Sequence, residues 1–84
     1  MKESFKDFLI DYVSDGQKLP EDAMNELEFL ANEFVFTSLE PQFYFSSNAT
    51  DYFLYYIKEY MCESNQSFFN LTFDENRYSQ YVNK

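Results

Sequence analysis

The chain has 84 residues with one cysteine and no histidine, a length at which folding buries only ~60–65% of the surface of the unfolded chain, so one domain is expected over residues 1–84 with no room for a second. A lone Cys62 excludes an intramolecular disulfide, and with it the small disulfide-stapled secreted scaffold, which makes the cytoplasm the expected compartment. The formal charge of −9, with only 6 basic residues, argues against direct DNA or RNA binding, because affinity for phosphate backbones rests on clustered Lys and Arg.

The N-terminal run MKESFKDFLIDYV interleaves charges with apolar residues, unlike the unbroken apolar core of a signal peptide or membrane span, so neither targeting nor a membrane partner is expected. Ser4 stands as an N-cap before Phe5, Phe8, Leu9 and Tyr12, an i, i+3, i+4, i+7 stripe, and Gly16 follows where a left-handed C-cap is wanted. This predicts a first helix over Ser4 to Ser14. Pro20 suits a first helical turn, Glu21 and Asp22 match the positive end of the helix dipole, and Met24, Leu27, Ala31 and Phe34 recur at helical spacing. A second helix is predicted over Pro20 to Val35.

Residues 36–48 read FTSLEPQFYFSSN, a loop with one short turn of helix. Asn48, Thr50 or Asp51 caps a third helix over Thr50 to Cys62, whose broad apolar face is Tyr52, Phe53, Tyr56, Ile57, Tyr60 and Met61. The polar stretch ESNQS ends it. Thr72-Phe73-Asp74-Glu75 then spells a capping box that starts a fourth helix carrying Tyr78, Tyr81 and Val82. No β-alternation bounded by turn residues is visible, so the expected class is all-α. Eleven Phe and eight Tyr make the expected core aromatic, since each ring buries about 150–250 Å² when packed.

Three segments carry a family resemblance: Ser4-Phe5 with Phe8-Leu9 and Tyr12, then Thr50-Asp51-Tyr52 with Ile57 and Tyr60, then Ser67-Phe68-Phe69-Asn70-Leu71-Thr72-Phe73-Asp74 leading to Tyr81. In this order they resemble the YozE SAM-like family of small proteins from low-GC Gram-positive bacteria. The resemblance spans almost the whole chain and implies a compact, SAM-like bundle of four to five short helices. Where that family has a Phe-Pro-Lys turn, this chain reads Phe43-Tyr44-Phe45-Ser46-Ser47. The matched positions are mostly apolar residues and caps, and the resemblance implies no activity.

Catalytic equipment is not visible in the sequence. Cys62 has no histidine to serve as base, and Glu59 and Glu63 beside it are expected to raise its thiol pKa. The carboxylates fall on polar faces and helix starts rather than in contrasting paired environments. No loop has the alternating oxygen ligands and turn glycine of an EF-hand. No enzyme activity, cofactor or metal is therefore expected. Three Asn-x-Ser/Thr triplets, at Asn48, Asn65 and Asn70, are set aside for want of a secretory signal.

Two surfaces stand out. Carboxylates crowd the first two helices, with Glu3, Asp7, Asp11 and Asp15 stepping by four and Asp22, Glu26 and Glu33 along one side of the second. Such rows space like charges by about 6 Å. An acidic face of this kind keeps an aromatic-rich domain in solution; read functionally, Glu3, Asp7, Asp11, Asp22 and Glu26 imitate a phosphate backbone and occupy the basic groove of a nucleic-acid-binding protein. The second surface is aromatic: Phe43, Tyr44, Phe45 and Tyr55 are candidates for a protein-binding patch, although AT-rich codon usage alone would also enrich tyrosine. The leading expectation is a non-enzymatic interaction module that binds an unidentified protein or itself. The alternative is an acidic nucleic-acid mimic. Direct RNA recognition would need Lys2, Lys6, Lys58, Arg77 and Lys84 to cluster.

Overall fold

A computed structural model describes residues 4–37, 40–71, 76 and 79. These form a compact all-α bundle, with no strand among the described residues. Helix α1 spans Phe5–Ser14, α2 Glu21–Thr37, α3 Ser47–Tyr60 and α4 Glu63–Gln66, with a 3-10 turn at Pro41–Phe43 between α2 and α3. The longest three pack on one another around Phe5, Leu9, Leu27, Leu30, Ala31, Phe34, Phe53 and Ile57.

α1 starts as its sequence dictates: the Ser4 hydroxyl oxygen accepts the Asp7 N–H at 3.1 Å, satisfying one of the donors that a first turn leaves unpaired. Its left-handed C-cap is Asp15 (φ 51), one residue before the expected Gly16, and Gly16 (φ 74) is a second left-handed residue. Asp tolerates this region better than most residues, so the helix closes on Asp15, whose N–H reaches Asp11 O at 2.9 Å. A Cβ at Gly16 would meet nothing within 4 Å; glycine is needed there for its backbone angle.

α2 runs to Thr37, past the expected end at Val35. Two side chains satisfy carbonyls of its last turn: the Thr37 hydroxyl donates to Glu33 O at 2.6 Å and the Tyr44 phenol donates to Val35 O at 3.1 Å. α3 starts earlier than expected. Its cap is Ser46, whose Oγ accepts the Ala49 N–H at 3.1 Å, and not Asn48, Thr50 or Asp51. Burial decides between these rival caps. Ala49, Phe53 and Ile57 are all fully buried, and a helix starting at Thr50 would leave Ala49 off the stripe.

α3 also ends sooner, at Tyr60, with Met61 extended and Cys62 outside the helix. The amide of Gln66 folds back under this end and donates to Lys58 O at 3.0 Å and Met61 O at 2.7 Å. The stretch expected only as a polar break therefore contains α4, a single turn whose Gln66 satisfies carbonyls at the C-terminus of α3. The capping box at Thr72 and Glu75, with Tyr78, Tyr81 and Val82, lies outside the described residues; Asn76 and Ser79 are helical.

Candidate protein-binding surface

The segment joining the 3-10 turn to α3 folds back on the first turns of α1. Tyr44 stacks on Phe5 with ring centroids 4.2 Å apart and planes 11° apart, and its hydroxyl is committed to Val35. It is half-buried structure that ties the loop to α1 and α2, which corrects its expected place in an exposed patch. Phe45 is the opposite case. Its φ of 62 is unusual for a bulky side chain and costs about 1–2 kcal/mol. This backbone turns the ring outward against the edge of Phe5 at 5.3 Å and against Phe8 at 5.2 Å, leaving the residue 55% exposed. Ser46 holds the turn: its hydroxyl donates to Phe43 O while its Oγ caps α3. Phe43 is 39% exposed on the preceding turn.

The fourth aromatic candidate is corrected outright, since Tyr55 is only 2% exposed. It lies on the side of α3 away from Phe53, and that side is covered too, so the helix is not amphipathic in the simple sense its wheel suggests. Exposed aromatics stand elsewhere instead. Phe29 and Phe36, the latter 87% exposed, are on the outer side of α2, and Tyr60 is exposed beside Tyr56. Their seven-residue separation, outside the stripe of Leu27, Ala31 and Phe34, was readable in the sequence as an outward-facing pair.

The acidic candidates separate. Asp7 and Asp11 on α1 and Asp22 on α2 are exposed. Glu3 lies outside the described residues. Glu26 belongs to no open row: its carboxylate accepts the Cys62 N–H at 3.1 Å and the Asn65 side-chain amide at 2.6 Å, tying α2 to the elbow between α3 and α4. Lys2, Arg77 and Lys84, three of the residues an RNA-binding cluster would need, also lie outside the described residues.

Cys62 corrects another expectation. Its thiol is held below its ordinary pKa, chiefly by the Ser64 hydroxyl 3.2 Å away and then by the Ser64 N–H, with a smaller part from the Asn65 N–H; partial desolvation and, least of all, the charge of Glu26 oppose them. Leaving α3 places the sulfur against the amide end of α4, where hydrogen-bond donors outweigh desolvation and the Glu26 carboxylate. The rate of iodoacetamide alkylation should therefore reach half its plateau at lower pH in the folded chain than in urea, and Ser64→Ala should move that midpoint up. Coincident curves for folded and unfolded chain would contradict the assignment. Among the described residues no group of His, Cys, Asp and Glu is placed to hold a metal ion, and no helix is long and apolar enough to cross a membrane. No family model, curated protein or solved structure matches the chain.

Proposed function

We propose that this chain is a non-enzymatic protein-interaction module of the cytoplasm, binding a partner protein through Phe43 on the 3-10 turn and through Phe45 where it projects over Phe5 and Phe8. Phe45 carries the reading. A bulky ring in left-handed backbone, half in solvent, costs folding energy that an ordinary turn residue would avoid, and such strain is characteristic of recognition sites. Large apolar rings beside a rigid base are the side chains that dominate binding energy at interfaces. The resemblance to the YozE SAM-like family rests on sequence segments alone, those in α1 and α3 among them, and adds no activity.

The test uses Phe45→Gly, because glycine accepts φ 62 without strain and the lost ring contacts, about 0.5–1.5 kcal/mol each, are largely offset by that relief. Folding stability should stay within about 1 kcal/mol of the parent. Immobilised parent chain is expected to retain a lysate protein that Phe45→Gly and Phe43→Ala retain at least about 10-fold less. Retention unchanged by both variants would sink the proposal. Retention abolished instead by Asp7→Asn with Asp22→Asn, and released between about 50 and 300 mM salt as the screening length falls from roughly 14 to 6 Å, would favour the nucleic-acid mimic.

A further inference from the structure

α2 carries an aromatic ridge on the side that the bundle does not use. At 100° per residue, Phe29 and Phe36 stand about 140–180° around the helix from buried Leu27, Ala31 and Phe34, and they are 61% and 87% exposed. Their seven-residue separation sets the two rings about 10.5 Å apart along one side of the helix. Rings this far from the core add nothing to its packing, and apolar area held in water on a helix is the usual mark of a surface that another element covers.

The residues around the ridge follow a heptad. With Phe29 and Phe36 at position a, Asn25 and Asn32 fall at d, Glu28 at g, and Glu26 and Glu33 at e. In such a seam the a and d side chains meet a second helix, and the charges at e and g on either side choose which helix that is. Both sides are acidic here, and α2 contains no lysine or arginine to balance them. Glu28 and Glu33 are exposed, as are Asn25 and Asn32. Glu26 takes no part, since its oxygens already accept from Cys62 and Asn65.

We infer that the outer ridge of α2 receives a basic amphipathic helix of a partner protein, whose apolar side chains cover Phe29 and Phe36 and whose lysine or arginine side chains lie against Glu28 on one side and Glu33 on the other. Charge complementarity selects this occupant. A second copy of the chain would set Glu28 against Glu33 in a parallel pair, and each acid against its own kind in an antiparallel one. An anionic membrane surface would be repelled, because a helix that lies on lipid needs a basic polar face. Asn25 and Asn32 narrow the choice to a register that gives their amides polar partners. The inference is independent of the role proposed for Phe45, whose ring lies against α1.

The probe is a synthetic three-heptad peptide with leucine at every a and d and lysine at every e and g, so that it repels copies of itself; a companion peptide carries glutamate at e and g. Titrated into isotope-labelled full chain and followed by amide NMR, the lysine peptide is expected to shift residues 25–36 saturably with a Kd of about 10–100 μM, and the glutamate peptide to bind at least about 10-fold more weakly. Phe29→Ala with Phe36→Ala should weaken the lysine peptide at least about 10-fold and leave the unfolding midpoint no lower, because both rings stand in solvent and alanine is the better helix former. Glu28→Gln with Glu33→Gln should weaken it about 5-fold, whereas Asp7→Asn with Asp11→Asn, and separately Phe45→Gly, should change it by less than about 2-fold. No saturable shifts at about 1 mM peptide, equal binding of the two peptides, undiminished binding by the Phe29 and Phe36 double variant, or shifts centred on the acids of α1 would overturn the inference. Concentration-dependent dimerisation of the chain that Phe29→Ala with Phe36→Ala abolishes would give the ridge to a second copy and overturn the basic partner.

Discussion

Phe34→Ala is expected to lower the stability of the chain by about 3–5 kcal/mol. Phe34 is fully buried in α2, packed against Phe53 at 5.2 Å and Tyr56 at 5.3 Å, so its ring joins α2 to α3. Truncation removes the transfer energy of the ring and leaves a void beside two large aromatics, which cannot collapse into it without leaving their own contacts. A chain of this length has a total stability of about 4–13 kcal/mol, at ~0.05–0.15 kcal/mol per residue, so the loss consumes a large share of it. In urea the midpoint should fall by about 2–4 M with the slope unchanged. Phe34→Leu, which keeps most of the volume, should cost about 1–2 kcal/mol. A Phe34→Ala midpoint within about 0.5 M of the parent would mean that Phe34 does not hold the two helices together.

The interior was legible because it follows from periodicity. Leu27, Ala31 and Phe34 were expected on one face of α2 and are buried there, as are Phe53 and Ile57 on α3. Ser4 was legible as a cap because a single hydroxyl precedes the apolar stripe of α1. The start of α3 was not, because Ser46, Ser47, Asn48, Thr50 and Asp51 can all cap, and only the burial of Ala49 selects Ser46. The turn at Gln66 was hidden for a related reason: a glutamine that folds back onto carbonyls five and eight residues earlier leaves no periodic trace. The candidate surface was read in part. The aromatic run at Phe43, Tyr44 and Phe45 was conspicuous, but composition cannot say which ring points outward; that depends on the left-handed backbone at Phe45 and on the phenol of Tyr44 finding Val35 O. Tyr55 failed because a helical wheel assumes one covered side, and α3 is covered on more than one.

Glu26→Ala is expected to cost about 2 kcal/mol, and the size of this effect decides what the carboxylate is for. Glu26 looked like one member of an acidic row, yet one of its oxygens accepts the Cys62 N–H and the other the Asn65 amide. Hydrogen bonds to a charged acceptor are worth about 1.5–3 kcal/mol when sheltered; the bond to Asn65 is part-buried and the bond to Cys62 is exposed, so the pair together is placed near the lower bound. Glu26→Gln keeps one acceptor oxygen but turns an NH2 group toward a donor, and should lose about 1 kcal/mol. A double-mutant cycle with Asn65→Ala should show a coupling of about 1 kcal/mol, and the Cys62 amide should exchange with solvent faster in both single variants. The same measurement bears on function. A carboxylate that anchors the α3–α4 elbow cannot also meet a basic partner without releasing its two donors, so substantial destabilisation removes Glu26 from any phosphate-like row and leaves Asp7, Asp11 and Asp22, split between two helices. A cost below about 0.3 kcal/mol with no coupling to Asn65 would return Glu26 to the solvent-facing acids and restore the row on α2.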